Sequence, residues 1–173
     1  MRFPLSLALT AAIAACGDQQ PADRPDLRAA VDQAQLTLRQ AVPFALASTQ
    51  GASPNHGWLV AGTELAFDVG ARGSTGMSEV RVSAQNGSLI RSGPVAEPNV
   101  PPCPGGAIPL DQALAIAETE ANGEAIAVVP DDDVACAREI QVLSGVALWE
   151  VKVGGDGAVL EEERSDEFSG KED

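Results

Sequence analysis

The chain has 173 residues, room for one ordinary domain or two small ones, with 45% hydrophobic residues, 3% aromatic residues and no tyrosine. A formal net charge of -14 excludes a nucleic-acid-binding role, because phosphate contacts need a basic surface; it also repels anionic lipid headgroups and keeps the chain soluble. Any core must be built from Ala, Val, Leu and Ile, with Phe44, Phe67, Trp58 and Trp149 as its expected bulky anchors.

At the N-terminus Arg2 supplies a minimal positive region, followed by an apolar run over residues 5–15, 11 residues long. That is short of the ~20 residues a bilayer-spanning helix needs, and it fits a secretory signal. No later stretch reaches that length without charges, so an exported chain without a permanent transmembrane helix is expected. Ile13-Ala14-Ala15-Cys16 resembles the lipobox of bacterial lipoproteins: an aliphatic residue, two small residues, then the cysteine that becomes the mature N-terminus. The resemblance implies a signal peptide over residues 1–15 and diacylglycerol plus acyl chains such as palmitate on Cys16. Acyl chains contribute ~0.8 kcal/mol per buried CH2, and more than one makes anchoring stable. Residues 16–25, polar and containing proline, read as a tether.

Next, "DLRAAVDQAQ" from Asp26 predicts a helical turn or two. Thr37 to Gln40 has a capping-box pattern opening a helix, which Pro43 should distort in its early turns. The alternation of Leu65-Ala66-Phe67-Asp68-Val69 predicts a strand with one buried face. A second strand runs from Ser78 to Ala84, and Asn86-Gly87 reverses the chain into Ser88-Leu89-Ile90. Then comes "GPVAEPNVPPCPGG", residues 93–106, with five prolines; such a stretch is neither central strand nor helix interior. We take residues 94–105 as a linker between units at 26–93 and 106–170.

In the second unit Leu110, Ala113, Leu114, Ala117 and Ala121 recur at helical spacing, and Asn122-Gly123 supplies a stop. Leu148-Trp149-Glu150-Val151-Lys152-Val153 alternates as a strand, Gly154-Gly155-Asp156-Gly157 reads as a hairpin loop, and Ala158 to Glu163 as the returning strand. With Cys16 assigned to lipid, Cys103 and Cys136 form an even pair, expected to be a disulfide in an exported protein.

The two units look alike. Leu38-Arg39-Gln40-Ala41-Val42-Pro43-Phe44-Ala45 matches Leu110-Asp111-Gln112-Ala113-Leu114-Ala115-Ile116-Ala117 at a shift of 72. The strand at Leu65-Ala66-Phe67-Asp68-Val69 is answered by Leu148-Trp149-Glu150-Val151-Lys152-Val153 at a shift of 82, implying ten extra residues around Asp131-Asp132-Asp133 and Cys136. The expected fold class is α+β: two repeats, each one helix followed by a short antiparallel β-meander. A helix "L-x-Q-A-x-x-x-A", strands carrying an aromatic-acid-Val core and a closing "D-A-x-x-G-x-V" hairpin resemble the PepSY domain over roughly two-thirds of the chain. The first copy supplies Phe67-Asp68-Val69 and Ser83-Ala84-Gln85-Asn86-Gly87-Ser88-Leu89; the second supplies Trp149-Glu150-Val151 and an ending at Ser165-Asp166-Glu167-Phe168-Ser169-Gly170. Serine replaces the usual aspartate in the first ending, and the second lacks a clean closing strand.

Candidate chemistry is sparse. His56, the lone histidine, lies in "SPNHGW", read as a loop with a polar surface residue. Without a second histidine or spare thiol, nucleophile-base pairs and zinc sites cannot be assembled. Asp131-Asp132-Asp133 and Glu161-Glu162-Glu163 with Asp166-Glu167 lack the spacing of a calcium loop and read as a solvated turn and strand edge. We therefore expect no catalytic residue, metal or cofactor. PepSY domains resemble part of the propeptides of thermolysin-like metallopeptidases and are implicated in restraining peptidases. The resemblance thus implies a non-catalytic, lipid-anchored, periplasm-facing envelope protein that binds a protein partner, a peptidase among the candidates. The alternative is a structural lipoprotein scaffolding an outer-membrane assembly, since barrel-assembly lipoproteins and the two-halved β-lactamase inhibitor protein have comparable architecture.

Overall fold

The computed structural model describes residues 22–49 and 52–172; the expected signal segment and Cys16 lie outside them. Helix α1 (Pro25–Gln33) precedes α2 (Leu38–Ala47). At the start of α2 the Thr37 hydroxyl accepts from Gln40 N at 3.2 Å, while the Gln40 side chain accepts from Thr37 N at 3.0 Å, so two orphan helix donors are satisfied reciprocally. The distortion expected at Pro43 does not interrupt this helix, which runs on to Ala47. Proline removes one bond near the N-terminal end, and the buried stripe Leu38, Ala41, Val42 and Ala45 holds the rest against the sheet.

Strands β1 (Ser53–Ala61), β2 (Ala66–Gly73), β3 (Gly76–Ser83) and β4 (Leu89–Val95) follow as an antiparallel meander. After helix α3 (Leu110–Glu120), strands β5 (Glu124–Pro130), β6 (Arg138–Ser144), β7 (Ala147–Val153) and β8 (Val159–Ser165) repeat the pattern. Antiparallel pairing of Gly57 with Val128 and Trp58 with Ala127 joins β1 to β5. The result is one sheet in the order β4-β3-β2-β1-β5-β6-β7-β8, with the two-residue strand β9 (Lys171–Glu172) parallel to β1. The expected α+β class is what the chain adopts.

Each element of the second half starts 70 to 72 residues after its counterpart. The ten-residue insertion is therefore overturned. Residues 148–153 lie in β7, the counterpart of β3 rather than β2, because β6 fills the intervening place. The closing hairpins correspond too. Ser88 N donates to Asn86 Oδ1 at 2.9 Å, and Ala158 N donates to Asp156 Oδ1 at 3.0 Å. Gly87 and Gly157 follow with φ of 71° and 87°, a conformation other residues adopt at a cost. The second hairpin motif is thus at Asp156-Gly157-Ala158-Val159, not at residues 165–170, which lead instead to β9.

The core lies between the helices and one sheet face. Leu59, Phe67, Val69, Val80 and Val82 from the first half, with Ile126, Val128, Ile140, Val142 and Val151 from the second, meet α2 and α3 there. Only part of the expected aromatic set joins it. Phe67 is buried and Trp149 packs partly buried against the cluster. Phe44 is 47% exposed, its ring lying on Gly87, where a Cβ would come within 2.5 Å. Ile116, its counterpart on α3, covers Gly157 in the same way, at 3.3 Å. Helix α1 closes one end: Leu27 and Val31 are buried, Arg24 N donates to Val146 O, and both Gln35 N and Leu36 N donate to Ala84 O.

Candidate binding face

Side chains alternate across a strand, so the partners of the core residues emerge on the sheet face away from the helices. On the first half of that face Arg91, Arg81, Asp68 and Trp58 are cross-strand neighbours in register. The row continues through Ala127, Gln141, Glu150 and Glu163. One level along, His56 faces Gly70, and Glu139 faces Lys152, which faces Glu161. The face thus draws on both halves.

His56 is not a loop residue; it sits in β1, 8% exposed. Its ring stacks on Trp58 with centroids 5.0 Å apart and planes 4° from parallel. It also lies against the Gly70 backbone, where a Cβ would fall 2.1 Å from Nε2. Only glycine leaves that space, so β2 is shaped to receive the imidazole. Trp58, expected in the core, belongs to this stack instead, because its position in β1 points away from Leu59 and the helices.

Beside the stack, Asp68 is fully buried and accepts Arg81 Nε and Nη2, each at 2.7 Å. This fork geometry is the strongest form of carboxylate pairing. Arg91 stands 3.6 Å from Asp68 and 3.4 Å from Glu79. Aspartate is depleted in strands; an Asp flanked by Phe67 and Val69 in a buried strand was the sequence signal that a cation would cover it.

The second half carries a different balance. Asp131, expected in a solvated turn, is 2% exposed, while Asp132 and Asp133 are exposed. Its Oδ2 meets Lys152 Nζ at 2.7 Å, and its Oδ1 accepts from Asp133 N at 2.8 Å and from Val134 N. Burial alone would raise its pKa; the Lys152 hydrogen bond and the two backbone donors outweigh that and hold it below the ordinary value. Lys152 is raised in turn, chiefly by its bond to Asp131. Glu139 lies 3.5 Å and Glu161 3.9 Å from the same ammonium. Burial first, then neighbouring carboxylates, raises both Glu139 and Glu150. The edge residues Glu161, Glu162 and Glu163 are exposed, as the sequence indicated.

Cys103 and Cys136 form the expected disulfide, with Cα atoms 4.9 Å apart. It ties the proline-rich connector to the loop after β5 and packs on Gly155, where a Cβ would lie 2.6 Å from Cys136 Cβ. On the helix side of the sheet, a cleft of about 970 Å³ lies between α2 and α3, lined by Val42, Pro43, Leu46 and Ile108 with Arg39 and Arg138. Among the described residues no group of three His, Cys, Asp or Glu is placed to hold a metal ion, and no helix is long and apolar enough to cross a membrane.

No protein-family model matches the sequence, and no curated protein matches it. Among solved structures the chain is similar to a candidate lipoprotein of Clostridium difficile 630, at 15% identity and a TM-score of 0.45, over 76% of this chain and 95% of that one.

Proposed function

We propose that the protein is a non-catalytic, lipid-anchored envelope protein whose duplicated PepSY-like units form one protein-binding surface, and that the bound protein is a peptidase it restrains. The observation that carries this reading is the shared sheet: each half contributes four strands, and the row from Arg91 to Glu163 crosses both without interruption. A sheet face drawn from both halves with an aromatic stack at its centre suits contact with another folded protein. The polar groups of its first half are engaged with one another, as Asp68 with Arg81, which favours a recognition surface over a site of turnover. The lipobox at Cys16 supplies the anchor, and the polar stretch after it the arm that holds the face off the membrane. That arm is shorter than the expected 16–25, because Asp23 pairs with Arg164, Arg24 N donates to Val146 O and Pro25 opens α1.

The test is a pull-down of the full chain from detergent-solubilised envelope, with mass spectrometry of the mature N-terminus. A peptidase partner and an acylated Cys16 are the expected results. A barrel-assembly complex in its place would favour the scaffold alternative, and an unmodified N-terminus at another position would remove the anchor.

A further inference from the structure

The face away from the helices already holds one extended peptide: the chain's own last residues. Gln141, 3% exposed in the centre of β6, directs its amide to that segment. Its Nε2 donates to Glu167 O at 2.8 Å, and its Oε1 accepts from Ser169 N at 2.8 Å. A carboxamide presents the same donor and acceptor as a peptide group, so this clamp reads main chain and is indifferent to the side chains at 167 and 169. Both of those residues are exposed. The residue between them, Phe168, packs against the hydrophobic cluster. Two positions later the chain passes so close to β1 that a Cβ on Gly170 would lie 2.7 Å from Leu59 O and 2.3 Å from the Phe168 ring. Beyond Gly170, β9 pairs parallel with Val60 and Ala61. That edge of β1 is open to it because β1 and β5 pair only at two positions, Gly57–Val128 and Trp58–Ala127.

We infer that the site formed by Gln141, the ring-accepting cluster and the free edge of β1 is a peptide-recognition groove for an extended segment of the form aromatic-x-glycine, and that residues 166–172 occupy it as a built-in ligand that a partner's segment displaces. The proposal rests on the binding-module reading and gives it a location and a ligand chemistry. Each requirement has its own cause: Gln141 demands an extended backbone, the cluster takes the aromatic ring, and Leu59 O admits only glycine two residues on. The free edge of β1 then continues the pairing, the mode known as strand addition. The occupant is suited to exchange. It is held by two side-chain amide bonds and two ladder positions, and it follows the edge strand β8, so its release leaves the eight-strand order intact. Its advantage over a ligand in solution is tethering, which supplies an effective concentration of the order of millimolar.

The test uses full-length protein and a fluorescent nonapeptide, SDEFSGKED, the sequence of residues 165–173. Phe168→Ala loosens the tail and should bind the probe at least tenfold more tightly than the parent. Adding Gln141→Ala, or replacing the probe's phenylalanine by alanine or its glycine by valine, should abolish that binding. Gly170→Val provides a second route to a loosened tail if Phe168→Ala folds poorly. In the parent protein, saturating probe should accelerate hydrogen exchange at the Ser169 amide. Equal probe affinity in parent and loosened variants, indifference to Gln141, or unchanged Ser169 exchange would each overturn the groove. Partner capture that survives in Gln141→Ala would also overturn it while leaving the binding-module reading standing.

Discussion

Replacing Asp131 by asparagine keeps an oxygen for the backbone donors of Asp133 and Val134 but removes the charge facing Lys152. Two unit charges 2.7 Å apart attract by about 6 kcal/mol at an effective dielectric constant near 20, and desolvation offsets much of this. Removing one partner of a buried pair typically costs about 3–5 kcal/mol. Here Lys152 retains Glu139 at 3.5 Å and Glu161 at 3.9 Å, which places the expected loss at about 2–3 kcal/mol at pH 7. The loss must depend on pH. Asp131 is held below its unfolded value, so its contribution is complete above about pH 5 and disappears as pH falls through the folded pKa. Lys152 is shifted upward, so its contribution is complete below the unfolded value of about 10.4 and declines only as pH rises beyond that. Urea unfolding of both proteins from pH 3 to pH 9 measures the difference directly, with an unchanged m-value as the check on two-state behaviour. The reasoning fails if the variant loses less than about 1 kcal/mol at pH 7, or if the loss is as large at pH 3 as at pH 7.

Glu150→Gln should act in the opposite sense: burial and then neighbouring carboxylates raise this group, so its ionised form disfavours folding at pH 7. The variant should gain about 0.5 kcal/mol there, after solvent screening, and nothing once pH falls below about 4.3, read from urea midpoints. Converting Cys103 and Cys136 to serine opens a loop with a sequence separation of 33 and should cost at most about 3.5–4 kcal/mol by the chain-entropy estimate; the unreduced parent should resist alkylation at both positions. Gly87→Ala and Gly157→Ala should each lose about 1–2 kcal/mol from the left-handed backbone, with Gly87→Ala the worse because its Cβ meets the Phe44 ring at 2.5 Å. Equal losses would show that Phe44 simply moves aside.

Local chemistry was legible in the sequence wherever neighbours along the chain decide the outcome. The capping box at Thr37 and Gln40 and the turns at Asn86-Gly87 and Asp156-Gly157 work through bonds between residues two or three apart, and Asn122 stops α3 with its own left-handed backbone, φ 49°. Their patterns therefore announced α2, the end of α3 and both hairpin loops, although the second closing motif was expected at residues 165–170. The even pair Cys103 and Cys136 was readable from export and count alone. Strand β1 was not readable: Ser53, Pro54, Asn55 and Gly57 are turn-forming residues, and this stretch becomes strand only because β2 pairs along it, with β5 joining on the other edge at Gly57 and Trp58. The true spacing of the repeats waited on β6: Glu139-Ile140-Gln141-Val142 alternates polar and apolar over only four residues, and its pairing between β5 and β7 is what makes it a strand. Composition suggested solvated acids at Asp131 and a surface imidazole at His56. The tertiary structure buried both, because Lys152 sits two strands from Asp131 and Gly70 lies across the ladder from His56. Charge and length set the class of the molecule; which polar residues gather on one face was decided by strand register, a relation between residues far apart in the chain.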